Sequence, residues 1–118
     1  MKGLPKPLPK PPRLSPAMAE RFIAYGAFDH PIRWRAYDII RRQPNLSFND
    51  IARRLRVKTA HAAYHLALLK SAKVVDFRYK RQSKKTSQYF VTPIGERYYR
   101  EIISGGPPST GRRRMAKR

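Results

Sequence analysis

Apolar residues in this chain recur with two different periods, and the change from one to the other outlines a fold. Ser15 followed by Pro16 reads as a helix N-cap with proline in the first helical position, opening a short helix with Met18, Phe22, Ile23 and Tyr25 along one side. Gly26 is expected to end it. His30 and Pro31 restart a helix in which Ile32, Ala36, Ile39 and Ile40 share a face, while Arg33, Arg35, Asp38, Arg41 and Arg42 mark the other and Pro44 stops it. Ser47 with Asp50 three residues later is a capping-box signature, and Ile51, Ala52 and Leu55 follow as one stripe. After the joint Arg56-Val57-Lys58, a longer helix is expected from about Thr59 to Ala72, turning Ala62, Leu66 and Leu69 inward. Two helices across a three-residue turn form the helix-turn-helix pattern.

From Val74 onward the period becomes two. Val75, Phe77 and Tyr79 alternate with Asp76, Arg78 and Lys80, as in a strand buried on one face, and Gln88 to Thr92 is β-branched and aromatic enough to pair with it. The polar link Arg81 to Thr86 is then the tip of a hairpin, or wing. Thr92-Pro93 repeats the cap-and-proline signal and opens a last helix carrying Tyr98, Tyr99, Ile102 and Ile103. The pattern predicts a mainly α fold with a small β-hairpin, a winged helix-turn-helix, over residues 16–103. Trp34 falls off its helix's main stripe, which predicts contact with one of the terminal helices or with a second subunit.

Composition sets the partner. The chain has 118 residues with 27 Lys and Arg against 7 Asp and Glu, a formal net charge of +20. Such a chain repels itself unless a polyanion neutralises it, and nucleic acid is the usual one. Basicity alone does not separate DNA from RNA or anionic lipid. Residues 1–15 alternate proline with lysine or arginine and read as an extended basic arm, and residues 104–118 read as a disordered basic tail. No cysteine is present, which excludes disulfides, a zinc ribbon and a thiol nucleophile. No apolar run approaches the roughly 20 residues of a membrane span. A soluble cytoplasmic protein associated with the nucleoid is expected, without membrane contact.

The order of elements, together with His30 to Arg33 (HPIR), Ser47 to Leu55, Thr59 to Val75 and Tyr89 to Gly95 (YFVTPIG), resembles the ArsR-like winged-helix regulators of bacteria and archaea over roughly Ala24 to Ile103. The chain departs from that pattern at Arg56 and Lys73, where the family commonly has glycine. A left-handed backbone at either would cost about 1 kcal/mol. The resemblance implies a recognition helix presenting Lys58, Thr59, Ala60, His61, Ala63 and Tyr64 to the major groove. It also implies a homodimer built by the terminal helices, with Phe22, Ile23, Tyr98, Tyr99, Ile102 and Ile103 at the interface; read from the residues alone, the same side chains, with Tyr25 and Phe28, are equally consistent with ordinary core. Metal-sensing members use paired cysteines, absent here. His61 and His65 stand four apart, a spacing that can serve zinc, but with no acid or third histidine nearby one is expected to face DNA and the other to pack. Neither a metal nor another cofactor is expected.

The reading face is chemically sparse. Bidentate base readout usually needs arginine, asparagine or glutamine, and none occurs among the outward positions of this helix. Phosphate-seeking side chains are abundant: Arg53, Arg54, Arg56 and Lys58 beside the helix-turn-helix, and Arg78, Lys80, Arg81, Lys84 and Lys85 on the wing. Read singly, each is as well explained as a solvated charge, except the wing-tip cluster Arg81, Lys84 and Lys85, where the functional reading is favoured because a protruding basic hairpin has few neighbours to pair with. The expected function is double-stranded DNA binding by a transcriptional regulator of low base selectivity, the alternatives being an architectural DNA-coating protein and an RNA-binding basic protein. No paired carboxylate, Gly-rich phosphate loop or nucleophile–base pair suggests an enzyme.

Overall fold

The computed structural model describes residues 13–81 and 83–105 together with Gly3, Pro7 and Pro9; the side chains of 83–85 lie outside this set. The two basic arms therefore fall almost wholly outside the described residues, as do the Lys84 and Lys85 side chains. Seven elements follow one another: α1 (Pro16–Phe28), α2 (Pro31–Arg42), α3 (Phe48–Leu55), α4 (Thr59–Ser71), β1 (Val75–Lys80), β2 (Ser83–Val91) and α5 (Pro93–Ile103).

Local chemistry explains most helix starts. Ser15 Oγ accepts from the Met18 N–H at 3.1 Å, His30 Nδ1 from Ile32 at 3.1 Å, Ser47 Oγ from Asp50 at 3.1 Å and Thr92 Oγ1 from Gly95 at 2.9 Å. Each bond satisfies one of the N–H groups that a first helical turn leaves without a partner. Gly26 does not end α1, contrary to the expectation from its type. The helix continues for two residues because Ala27 and Phe28 are buried in the core, and that burial outweighs the ~1 kcal/mol helix penalty of one glycine.

Arg56 and Lys73 both adopt left-handed backbones, with φ of 59° and 66°. Arg56 caps α3, its N–H reaching the Ala52 and Arg53 carbonyls, and the joint to α4 turns there as the three-residue spacing requires. Glycine's conformational role is thus filled by basic residues.

The hairpin is antiparallel and regular from Val75 opposite Val91 to Tyr79 opposite Ser87, then shifts register so that Lys80 faces Ser83. The expected return strand of 88–92 and loop of 81–86 need correction, because β2 extends back to Ser83. Thr86, Ser87 and Gln88 are all half-buried, with no alternation, yet their backbone is strand. Leu46 bridges to Tyr89, with Asn45 N–H donating to the Tyr89 carbonyl at 2.8 Å, so the α2–α3 connection is pinned to the wing's base.

One core unites these elements: Tyr37 and Ile40 of α2, Ile51 and Leu55 of α3, Leu66 and Leu69 of α4, Val74, Val75, and Tyr98 of α5. Gly95 is where α5 crosses the chain entering β1; a Cβ there would stand 2.2 Å from the Val74 carbonyl oxygen. Trp34 stacks on Tyr99 of α5 at 5.1 Å and meets Phe28 of α1 edge-on at 5.6 Å, the contact its off-stripe position predicts.

Candidate nucleic-acid interface

Helix α4 has one inward stripe and one bare face. Ala62, His65, Leu66 and Leu69 are buried, at the i, i+3, i+4 and i+7 positions that point to one side of a helix. Lys58, Thr59, Ala60, His61, Ala63 and Tyr64 are all exposed, Tyr64 at 58%. Lys58 is the N-cap and makes no side-chain cap bond, so the first turn of α4 is left without the side-chain partner that the other four helices have.

Arg54 and Arg56 project freely beside it, whereas Arg53 is ion-paired with Asp50. That pair and the Ser47 hydroxyl hold the Asp50 carboxyl below its ordinary range. Arg35, which the pattern places on a solvent face, donates to the Arg54 and Leu55 carbonyls at 3.4 and 3.5 Å and so supports the end of α3. On the wing, Arg78 donates to Asn45 Oδ1 at 3.2 Å and lies over the Phe90 ring at 5.0 Å. Lys80 and Arg81 are exposed further out.

Charge is unevenly compensated. Between Ile51 and Gly95 the chain carries eleven Lys and Arg but one acid, Asp76, which pairs with Lys70 at 3.8 Å. Of the acids outside that segment, Asp50 pairs with Arg53 within it, and four others bind cations of the other helices: Glu101 with Arg21 at 3.1 Å, Glu96 with Arg41 at 2.9 Å, Asp38 with Arg42 at 2.9 Å, and Glu20 with Arg97. Burial pushes the Glu96 carboxyl up, but hydrogen bonds from Arg41 and Tyr37 outweigh it, and the group ends below its usual value. The positive face is therefore the one around α3, α4 and the hairpin.

The expected interface residues of the terminal helices divide. Tyr98 and Tyr99 are buried inside the protomer, Tyr98 donating to Glu20 at 2.6 Å and Tyr99 packed between Trp34 and Tyr37. Their place is the core of the chain itself, since α5 turns its tyrosines onto α1 and α2. Phe22 at 73%, Ile23 at 53% and Ile103 at 61% remain exposed, and Ile102 is half-buried beside an open hollow lined also by Phe22, Tyr25 and Trp34.

The histidines also need correction. His65 packs and His61 is exposed, but the fold brings His30 against His65, with ring centroids 4.5 Å apart. No sequence signal places residues 35 apart together. Among the described residues no group of three histidines, cysteines or acids is arranged to hold a metal ion, and no helix is long and apolar enough to cross a membrane.

Two helices across a three-residue joint, the second with a bare outer face, followed by an antiparallel hairpin and a closing helix, decide the architecture. The fold is a winged helix-turn-helix. This winged helix-turn-helix is similar to HlyU from Vibrio cholerae N16961, with 18% identity over 78% of this chain and 98% of that one and a TM-score of 0.62. It is similar to an ArsR-like transcriptional regulator from Rhodococcus sp. RHA1, with 20% identity over 75% and 80% of the two chains and a TM-score of 0.62. MarR shares the fold at 17% identity and a TM-score of 0.60, this chain spanning 66% of MarR's length and 73% of its own. No protein-family model matches the sequence, and neither does any curated protein.

Proposed function

We propose that the protein binds double-stranded DNA through α4 and the β1–β2 wing, as a transcriptional regulator whose affinity comes chiefly from phosphate contacts. The observation that carries this reading is the set of exposed cations Arg54, Arg56, Lys58, Arg78, Lys80 and Arg81, none ion-paired among the described residues, beside a helix whose outer face is bare. Lys84, Lys85 and the two arms add charge of the same sign. Phosphate contacts position a protein on a duplex without selecting sequence. Thr59, His61 and Tyr64 can each make single hydrogen bonds, and the alanines between them offer only methyl contact, so base selectivity is low. The exposed apolar residues Phe22, Ile23 and Ile103 fit a homodimer formed through α1 and α5, to which Ile102 adds a half-buried edge. We place the protein in the cytoplasm, on the nucleoid.

The net charge of +20 and the alanine-lined face favour a second reading, an architectural protein that coats DNA. Binding to random and genomic fragments across a salt series tests both. For six to ten neutralised phosphates, affinity falls about 10³- to 10⁵-fold between about 50 and 200 mM salt. A site preferred over random duplex supports the regulator, saturation at high protein-to-DNA ratio irrespective of sequence supports the coating protein, and salt-insensitive binding contradicts both. Stronger binding to single-stranded RNA than to duplex DNA would instead favour the RNA-binding alternative.

A further inference from the structure

The three histidines of the chain meet at one corner. His30, the N-cap of α2, lies against His65 of α4 at 4.5 Å between ring centroids, and His61, one turn before His65, is 5.6 Å from it. Arg33 of α2 donates from one guanidinium nitrogen to His65 Nδ1 at 3.1 Å, and from its Nε to the Ala27 carbonyl of α1 at 2.7 Å. His65 is 3% exposed. A single arginine thus ties the inner face of α4 to the end of α1, across the start of α2.

The protonation states follow from the donors. A guanidinium only donates, so His65 Nδ1 must hold a lone pair, and the ring is neutral with its proton on Nε2. His30 Nδ1 likewise accepts, from the Ile32 N–H. Two touching imidazoles each face a donor through Nδ1. A proton on His65 Nδ1 sets N–H against N–H, breaks that bond and adds a cation where Arg33 already stands. The charged and titratable groups acting on His65 are His30 and Arg33 from α2 and its cap and His61 from α4; α1 contributes the Gly26 and Ala27 carbonyls. Among the described residues no carboxylate is hydrogen-bonded or ion-paired to either ring, so nothing offsets the added charge. Tyr64 meets His65 only edge-on.

We infer that His65, His30 and Arg33 form an acid-opened latch holding α4 against the α1–α2 corner, so that mild acid loosens the helix that faces DNA. Burial, with His30, Arg33 and His61 beside it, holds the His65 imidazole below its ordinary value of 6.5. The sign is that of a depressed base. The latch's stabilisation is complete above about 6.5 and is lost progressively as the pH falls below that value, toward the lower folded one. The consequence for DNA rests on the function proposed above, and its direction is unusual. A basic protein ordinarily gains affinity for a polyanion when its histidines charge; this one should lose it.

The native chain tests the latch without DNA. Amide exchange in α4, corrected for intrinsic rates, should quicken several-fold between about pH 7.5 and about pH 5.5. In His65→Asn, whose amide oxygen can accept from Arg33 and takes up no proton in this range, the acceleration should disappear. Nitrogen shifts of the native His65 imidazole should show it neutral and protonated on Nε2 at the higher pH, a readout needing no variant. Acid-insensitive exchange, or a charged His65 at about pH 7.5, overturns the latch. The same pH change should weaken native binding to a random duplex at fixed ionic strength while leaving His65→Asn unchanged or tighter. If exchange responds and affinity does not, the coupling to DNA is overturned and the latch stands. If no duplex binds at any pH, the proposed function fails while exchange still judges the latch.

Discussion

The helices α1, α2 and α5 and the unit formed by α3, α4 and the hairpin are both rich in arginine, yet they use it in opposite ways. In the first, cations are spent on the protein itself. Arg21 and Tyr25 share Glu101, Arg41 and Tyr37 share Glu96, and Arg97 joins Glu20, which also accepts from Tyr98. In the second, Arg54, Arg56, Lys58, Arg78, Lys80 and Arg81 point outward with no acid to meet them. Net charge by itself conceals this division. What separates a structural cation from one held ready for a polyanion is the placement of the seven acids.

The largest effect should come from breaking the outward set. Exchanging Arg54, Arg56, Lys58 and Arg78 together for glutamine should lower duplex affinity at least about tenfold and reduce the slope of log affinity on log salt by roughly 0.9 for each lost contact. Exchanging the paired Arg42 and Arg100 should leave that slope unchanged, as a salt series on both variants would show. Next comes Gly95→Ala, which forces a Cβ onto the Val74 carbonyl and should cost about 1–3 kcal/mol in denaturant unfolding, with the salt slope of the folded fraction preserved.

A smaller change sharpens the contrast, because Arg56 is both the cap of α3 and one of the outward cations. Arg56→Gly relieves the left-handed backbone and should raise stability by up to about 1 kcal/mol while removing one phosphate contact. Chemical unfolding and a salt series on one variant would then move in opposite directions. The smallest effect is that of acid on the paired half. The Arg21 hydrogen bond, helped by Tyr25, holds Glu101 below its ordinary range against burial, and Glu96 is likewise lowered. Carboxylates with depressed values contribute stability that is present above about 4.3 and lost as the pH falls below it. A melting series should show this loss separately from the milder-acid response of His65.

Much of this fold is local, and local features are legible in sequence. Ser15, Ser47 and Thr92 cap their helices because each hydroxyl reaches an N–H three residues on, a fact of spacing alone. The alternation Val75, Phe77, Tyr79 likewise marks β1 wherever the rest of the chain lies. Nonlocal geometry is not written that way. Burial of Phe28 extends α1 past Gly26, and the polar residues of β2 join a ladder that no hydrophobic period betrays. Tyr98 and Tyr99 sit on an apolar face whose pattern does not say whether the protomer's own α1 and α2 or a second chain will cover it. The joining of Arg33 and His65 depends on helices crossing at one corner. In the candidate interface, the residue types and their exposure on α4 were legible, while the support of α3 by Arg35 and the pairing of Arg53 with Asp50 emerge only in three dimensions.

The most direct test of the division is to map backbone amide shifts of the native chain on adding a random-sequence duplex. Perturbations should concentrate on the first turns of α4, on Arg54 and Arg56, and on Arg78 to Arg81, leaving α5 quiet. Perturbations centred on α5 and the outer face of α1, with α4 unchanged, would contradict it.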